Sequence, residues 1–238
     1  MKKILNKLII FIKKIINTFL TPKSINLSNY LPTKNNKYFF DYLPKFFWFL
    51  PDNNQKRYWK FAHLEKIHNY EKYINMNNSS SIFIKEIKKY SNLNDRILDL
   101  CCNVGRFINQ LQEYGFKNIH GVDINDIAIS KINQIFPKVD KSNIECSSIE
   151  RYLPKIEDKF FDVVFTYGAT IELIAPSFPL IREISRVTKR YFILMINENG
   201  HAYPRFWRYE FKKNNFKIVE IRKVDNSNST FFVLKKIK

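Results

Sequence analysis

Two acidic residues at the ends of apolar segments, Asp99 and Asp123, form the pattern with the clearest chemical meaning in this sequence. Asp99 opens a turn of small residues that runs to Gly105, and Asp123 ends the next apolar segment 24 residues later, about the length of one βαβ unit. A turn of this kind lets backbone amides approach a ligand, and a carboxylate at the tip of the next strand can hold a ribose diol. The spacing therefore predicts a site for a cofactor that contains adenosine.

Alternating apolar segments and helical patterns surround these two acids. We predict strands at 96–101, 119–124, 143–146, 161–167 and 190–196, and helices at 104–114, 126–135 and 177–187. Strands that alternate with helices in this way indicate a parallel α/β sheet with helices on both faces. Two further strands at 216–224 and 230–236, joined by a polar turn, predict an antiparallel hairpin at the end of the sheet.

The N-terminal part of the chain carries most of the positive charge. Residues 1–90 hold 17 Lys and Arg against 5 Asp and Glu, and the formal net charge of the chain is +18. This excess favours an anionic membrane surface or, less strongly, nucleic acid as a partner, and the Lys, Asn and Ile bias of the whole sequence is the alternative explanation.

Residues 1–22 show apolar side chains at helical spacing with lysines largely opposite them, and the apolar run is too short to span a bilayer. We predict a basic amphipathic helix that lies on an anionic leaflet or packs against protein. Residues 23–90 form an aromatic-rich and helical extension that covers the α/β domain as a lid or sits at a membrane interface. Within it we predict a break at Asn77–Ser81, followed by a helix that ends near Asn92.

The three cysteines, Cys101, Cys102 and Cys146, show no spacing typical of metal ligands, and we expect no metal site. Adjacent cysteines would form a strained disulfide, so small thiols in a reducing compartment are the simpler interpretation. We therefore expect a cytoplasmic protein, placed peripherally at the cytoplasmic face of the membrane if its first helix meets lipid.

The order of these segments resembles the class I S-adenosylmethionine-dependent methyltransferases over about residues 96–237. Ile97–Gly105 resembles their first motif, His120–Ile124 their second strand with its ribose-binding acid, and Ser147–Pro154 their adenine-contacting segment. The resemblance implies a Rossmann-like methyltransferase sheet over 91–238, mostly parallel with an antiparallel C-terminal hairpin. It also implies S-adenosylmethionine as cofactor, whereas a nicotinamide enzyme should show Gly-x-Gly-x-x-Gly after the first strand, and this chain does not.

The resemblance carries over to a set of cofactor-binding residues. These are Asp99, Leu100, Cys101, Asn103, Gly105, Asp123, Ile124, Ser148 and Ile149. Asp123 would bind the ribose, with a helix N-cap as the alternative role, and Ile124 and Ile149 would sandwich the adenine unless they belong to the core. Family members commonly carry three alternating glycines in the turn, of which only Gly105 remains here. Asn tolerates left-handed backbone and Cys is small, so we expect the turn to form.

The methyl acceptor should bind outside the strand ends, beside the fourth strand. Tyr167 and His201 are the candidate catalytic residues, with an ordinary loop histidine as the alternative for His201. Other residues placed near this site by their position in sequence are Thr170, Glu172, Tyr203, Trp207 and Tyr209. Asn-Val-Gly-Arg in the turn resembles methyltransferases of surface-sugar biosynthesis, so the expected acceptor is a small molecule, such as a sugar or surface-glycan precursor. RNA methylation and a non-catalytic binding protein with a degenerate methyltransferase fold are the alternatives.

Overall fold

The computed structural model describes residues 69–168, 171–198, 205–224, 227 and 229–237. The predicted amphipathic helix at 1–22 and most of the extension at 23–90 lie outside these residues. Among the described helices, none has the length and apolar character needed to cross a bilayer.

A single seven-stranded sheet organises the described part of the chain. Its strands are β1 (Arg96–Leu100), β2 (Asn118–Asp123), β3 (Ile144–Cys146), β4 (Phe161–Tyr167), β5 (Thr188–Asn197), β6 (Phe216–Lys223) and β7 (Ser229–Lys236). The spatial order is β3-β2-β1-β4-β5-β7-β6, in which β1 to β5 run parallel and β7 pairs antiparallel with both of its neighbours. The predicted fold class, a mostly parallel sheet that ends in an antiparallel hairpin, is confirmed.

Helices cover both faces of this sheet. They are α1 (Asn78–Tyr90), α2 (Arg106–Glu113), α3 (Asp126–Ile135), α4 (Ile149–Tyr152), α5 (Leu180–Val187) and α6 (Trp207–Lys213). On one face, Phe83 of α1 packs edge-on against Phe107, Phe165 and Phe231. On the other face, α5 and α6 bury their apolar sides in a second core, where Phe211 contacts Phe232. Because parallel strands end at the same edge, this packing brings the ends of β1, β2 and β4 together.

Several predicted boundaries are wrong, each for a local reason. Helix α1 begins at Asn78 because the Asn77 side chain accepts a hydrogen bond from Ser80 N, so the predicted break at Asn77–Ser81 is instead a helix start. Helix α2 begins only at Arg106, since the preceding residues form a left-handed turn. Helix α5 begins at Leu180, directly after Pro179. The short helix α6 was not predicted.

Candidate active site

The turn after β1 has left-handed backbone at three alternate positions. Cys101, Asn103 and Gly105 have φ angles of 66°, 49° and 74°. These are the positions where the resembled family commonly carries glycine, so the glycine-poor turn adopts the conformation that the glycines would favour. A non-glycine residue in this region costs about 1 kcal/mol or more, and Asn bears it more easily than other residues.

Hydrogen bonds fasten this turn to the end of β2. The Val122 carbonyl accepts hydrogen bonds from the backbone amides of Cys101 and Cys102, at 2.8 and 3.1 Å. The absence of a side chain at Gly121 makes this approach possible, because a Cβ there would lie 2.7 Å from Ile108 Cδ1 and 3.0 Å from Cys102 Sγ. The turn and β2 therefore form one closely packed unit.

Asp123 ends β2 and is buried, with 9% of its surface exposed. Its Oδ2 accepts a hydrogen bond from Asn103 N at 2.9 Å, and its Oδ1 accepts one from Asn125 N at 2.8 Å. Burial raises the pKa of Asp123, although these amides act in the opposite direction. The N-cap of α3 is Asn125, whose side chain accepts from Ala128 N, so Asp123 does not cap that helix.

Asp99 is more deeply buried on β1, with 2% of its surface exposed, and its Oδ2 has no hydrogen-bond partner among the described residues. Burial raises the pKa of this carboxyl well above its ordinary value, the negative charge of Asp123 raises it further, and the cation of Arg106 lowers it. A buried oxygen without a donor is costly in a folded protein unless a ligand supplies the donor.

Arg106 is a buried residue of this site that the sequence analysis missed. Its Nη1 donates a hydrogen bond to the Asn75 carbonyl at 3.0 Å, and its guanidinium lies 5.1 Å from the centre of the Tyr167 ring. Burial lowers its pKa, and the charges of Tyr167, Asp99 and Tyr73 act in the opposite direction. Its position directly after Gly105 was the available signal, since the first residue of that helix had to lie beside the turn.

The segment before α1 reaches over the same strand ends. Tyr73 belongs to a 3-10 turn at Tyr70–Tyr73 and lies near enough to Arg106 and Asp123 for both charges to act on its hydroxyl. Burial is the largest cause of its raised pKa. With the bond from Arg106 to Asn75, this contact places residues 70–75 beside the turn, where the predicted lid would lie.

The remaining predicted cofactor residues lie around these two acids. Leu100 is fully buried, and its carbonyl accepts a hydrogen bond from Thr166 Oγ1 at 3.0 Å. Ile124 is half-buried just past β2, whereas Ile149 is 4% exposed and belongs to the core on the α5 side of the sheet. Ser148 caps the backbone of α4, where its carbonyl accepts from Tyr152 N. Their contacts with adenine stay predictions.

Tyr167, the candidate catalytic residue at the end of β4, is held by the start of α1. Its hydroxyl donates a hydrogen bond to Asn77 Oδ1 at 3.3 Å, and its ring packs 5.2 Å from that of Phe83. Burial raises its pKa, and Arg106 and the hydrogen bonds from α1 act in the opposite direction. A tyrosine with a raised pKa stays protonated at neutral pH, so it is suited to donate a hydrogen bond and not to accept a proton.

The ends of β4 and β5 are joined by buried acids. Glu172 is fully buried, and its Oε1 accepts a hydrogen bond from Asn197 N at 2.7 Å. Glu198 is 8% exposed and accepts hydrogen bonds from Arg208, Lys223 and Thr230. Its burial raises its pKa, but these donors and cations outweigh burial and leave the pKa lowered.

The other predicted acceptor-side residues are separated by the structure or lie outside it. Trp207 is 2% exposed and packs in the core, whereas Tyr209, two residues later on the same helix, is 63% exposed. The two side chains therefore do not line one pocket. His201, Thr170 and Tyr203 lie outside the described residues. No group of three or more possible metal-ligating side chains occurs among the residues that the structure describes.

Comparison with known proteins finds a similarity to methyltransferases over the middle of the chain. Residues 97–191 match the family model described as "Methyltransferase domain". The matched range contains the turn, Asp99, Asp123 and β4. Residues 97–191 are thus similar to the methyltransferase domain that the sequence motifs predict. S-adenosylmethionine is the cofactor of this family. No curated protein matches the chain by sequence.

Solved methyltransferase structures share the fold. Magnesium protoporphyrin IX methyltransferase from Synechocystis PCC 6803, solved with bound S-adenosylmethionine, is 13% identical, with a TM-score of 0.59 over 77% of this chain and 97% of that one. A TehB-like methyltransferase from Corynebacterium glutamicum is 16% identical, with a TM-score of 0.57 over 75% and 98%. Geranyl diphosphate C-methyltransferase from Streptomyces coelicolor is 8% identical, with a TM-score of 0.52 over 66% and 78%. At these identities the likeness shows the fold.

Proposed function

We propose that this methyltransferase transfers the methyl group of S-adenosylmethionine to a small-molecule acceptor. The observation that carries the proposal is the pairing of two buried acids across the left-handed turn, one of which, Asp99, presents an oxygen with no partner among the described residues. S-adenosylmethionine carries two ribose hydroxyls, which one of these acids could accept as hydrogen-bond donors, and an ammonium group, which the other could bind by charge.

Asp123 has capacity for the ribose. Each of its oxygens accepts one backbone N–H, and an ionised carboxylate offers about four acceptor positions in all. Two hydroxyl donors can therefore be added without displacing the bonds that hold the turn. The raised pKa of Asp123 in the ligand-free protein reflects burial, and two further donors would favour the ionised form.

Asp99 and Arg106 suit the two charged groups of an amino acid. The free Oδ2 of Asp99 can accept a hydrogen bond from an ammonium group, and ionisation of Asp99 is then favoured by that cation. Arg106 uses Nη1 for the Asn75 carbonyl, and its planar fork suits a carboxylate. The methionine end of the cofactor would thus lie between a buried acid and a buried cation.

The bound cofactor supplies an activated methyl group on a sulfonium, so much of the protein's contribution is positioning. Tyr167, whose single hydroxyl proton is donated to Asn77 Oδ1, would orient the acceptor or the cofactor at the end of β4 by accepting a hydrogen bond, or by exchanging the bond to Asn77 for one to the ligand. Proton removal from an oxygen or nitrogen acceptor needs a base, for which His201 stays the candidate.

For the acceptor we propose a sugar or surface-glycan precursor at the cytoplasmic face of the membrane. The magnesium protoporphyrin and geranyl diphosphate enzymes named above support the coarser class, a small-molecule acceptor. Support for the finer class comes from the Asn-Val-Gly-Arg form of the turn. The basic helix predicted at residues 1–22 supports the location.

The test is methyl transfer from labelled S-adenosylmethionine to three separate acceptor pools: nucleotide sugars, lipid-linked glycan precursors and total RNA. Binding of S-adenosylhomocysteine is titrated in parallel by calorimetry. Label in either glycan pool, with cofactor binding in the micromolar range, is the expected result. Label in RNA alone would replace the proposed acceptor. Absence of cofactor binding by a folded sample would leave a degenerate fold.

A further inference from the structure

The outer surface of α6 and the adjoining part of β6 combine exposed apolar and basic side chains. We call this surface the α6–β6 patch. It consists of Phe206, Arg208, Tyr209, Lys212, Lys213, Ile221 and Lys223. Tyr209 is 63% exposed, Ile221 41% and Phe206 37%. Exposed apolar side chains grouped within a polar rim mark interaction surfaces, and here three lie among four cations.

The packing of α6 explains why these residues face outward together. Trp207 and Phe211 occupy the helix side that meets the sheet, and both are buried. Arg208 lies over the ring of Phe232, 5.9 Å from its centre, and Ile221 is the register partner of Phe232 on the edge strand β6. Arg208 and Ile221 therefore flank the same core residue, and the helix surface continues onto the sheet edge.

The positive charge of the patch is only partly balanced by neighbouring acids. Lys212 and Lys213 form no ion pair among the described residues. The acids of α6 and β6 pair with residues outside the patch, since Glu210 pairs with Arg205 and Glu220 with Lys89 and Arg222. Glu198, just past β5, pairs with Arg208 and Lys223 of the patch. Any partner of this surface must therefore bring negative charge and also accept apolar side chains.

We propose that the α6–β6 patch binds the surface of an anionic lipid bilayer. Lysines on an exposed helix attract acidic headgroups, and their long stems let neighbouring apolar groups enter the interface. Tyrosine is favoured at the level of the headgroups, while Ile221 and Phe206 supply aliphatic and aromatic surface that acyl chains accept. An RNA partner would use the lysines and the rings but gain nothing from Ile221, so the mixture favours lipid.

The α6–β6 patch lies next to the end of the sheet where the methyl acceptor is expected to bind. Glu198, the residue that follows β5, is bonded by Arg208 and Lys223 of the patch, so the patch borders the end of the sheet where the acceptor is expected. Docking would turn that end toward the leaflet. The inference rests on the proposed function only for this consequence, and it does not depend on residues 1–22.

The experiment uses the full chain and vesicles of phosphatidylcholine with or without phosphatidylserine, with partitioning measured by co-sedimentation. One variant removes patch charge, Lys212→Gln with Lys213→Gln, and a second removes patch apolar surface, Tyr209→Ser with Ile221→Thr. The charge control is Lys217→Gln with Lys235→Gln, two exposed lysines that face each other on the opposite side of the same hairpin. The apolar control is Leu93→Ser, which is 52% exposed in a loop remote from the patch.

The Lys212/Lys213 variant should reduce partitioning to the phosphatidylserine vesicles about 25-fold, because each basic residue near an anionic surface contributes about fivefold. The Tyr209/Ile221 variant should reduce it on the order of tenfold, because it removes apolar surface that would enter the interface. The controls should stay within about twofold of the unaltered chain. All four variants should bind S-adenosylhomocysteine as the unaltered chain does, which separates this test from that of the cofactor site. Equal losses in patch and control variants, no vesicle binding at all, or patch variants that lose RNA binding but keep vesicle binding would each overturn the proposal.

Discussion

The two ends of the candidate active site differ in how the protein stabilises a buried carboxyl group. At the cofactor end, Asp99 is buried with one oxygen free of partners among the described residues, and its pKa is raised. At the end where the acceptor is proposed, Glu198 is less deeply buried and is surrounded by two cations and a hydroxyl, and its pKa is lowered. Asp99 therefore keeps an acceptor oxygen to which a ligand can donate a hydrogen bond, whereas Glu198 already accepts hydrogen bonds from the protein itself.

This difference indicates that the end at Asp99 is suited to bind a ligand, and that Glu198 at the other end stabilises the fold. A ligand that donates hydrogen bonds to Asp99 and Asp123 gains binding free energy, because the ligand-free protein does not supply these bonds itself. A ligand at Glu198 would have to displace Arg208 or Lys223. We therefore expect substitutions at the cofactor end to change ligand affinity, and substitutions at Glu198 to change stability.

The largest effect should come from Asp123→Ala. The variant removes both ribose acceptors and also the carboxylate that holds the amides of Asn103 and Asn125. Affinity for S-adenosylhomocysteine should fall by about 100-fold or more, because two hydrogen bonds to a buried charged group are lost. Isothermal titration calorimetry measures this loss.

The matched control for this variant is Asp126→Ala. Asp126 is exposed three residues later, and within the described part of the chain its side chain accepts a hydrogen bond only from the amide of Ile127. The affinity of the Asp126→Ala variant for S-adenosylhomocysteine should stay within about twofold of that of the unaltered chain. Equal losses in the two variants would contradict a ribose role for Asp123 and would assign its contribution to the fold.

Asp99→Asn should separate stability from binding. Because the folded-state pKa of Asp99 is raised, the folded protein holds this proton more tightly than the unfolded chain, and the free energy of unfolding falls as pH rises above the ordinary value of 3.8. Asn imitates the protonated acid, so the ligand-free variant should lose this part of the pH dependence and be more stable than the unaltered chain at neutral pH.

The same variant should bind cofactor less well. Ammonium binding favours ionised Asp99, so the affinity of the unaltered chain should increase with pH until the pH exceeds the raised pKa of Asp99 in the ligand-free protein. The variant should bind about tenfold more weakly at neutral pH and lack this increase. Calorimetric titrations and thermal melts over a pH series measure both quantities. A variant with unchanged affinity and the same pH dependence would exclude Asp99 from the ligand site.

Glu198→Gln should have the opposite signature. The lowered folded-state pKa of Glu198 means that its contribution to stability is present above its unfolded value of 4.5 and is lost as pH falls through the folded value. The variant should be less stable by about 1 kcal/mol at neutral pH, and the difference should shrink in acid. Cofactor affinity should not change. A loss of affinity without a loss of stability would place Glu198 in the ligand site.

Sequence patterns predicted the elements whose residues are dictated locally. The alternation of strands and helices, the terminal hairpin and the position of the turn follow from apolar periodicity and from Asp99–Gly105, and the sheet confirms them. Helix α6 escaped because its seven residues bury only Trp207 and Phe211, too few to show a period. The beginning of α5 was placed too early because Pro179 overrides the apolar pattern before it.

The parts of the site that sequence could not predict depend on distant segments. Arg106 would be expected on the solvated side of a helix, and its burial is made tolerable by the carbonyl of Asn75, the ring of Tyr167 and the charge of Asp99. The bond between Glu172 and Asn197 joins the 3-10 turn after β4 to the end of β5, and the two residues are 25 positions apart in sequence. Neither residue type nor spacing encodes these contacts, since they arise only when the sheet is assembled.

The smallest effect should come from restoring glycine to the turn. Cys101→Gly and Asn103→Gly place glycine at φ angles of 66° and 49°, where it carries no steric cost. The gain is reduced because glycine also raises the entropy of the unfolded chain, so we expect about 0.5 kcal/mol of added stability for Cys101→Gly and less for Asn103→Gly. The adjacent Cys102→Gly is the control: its side chain is 5% exposed and packs near Gly121, so its loss should destabilise the protein. Thermal melts of the three variants measure these shifts. Destabilisation by Cys101→Gly equal to that of Cys102→Gly would mean that the Cys101 side chain contributes packing that outweighs its backbone strain.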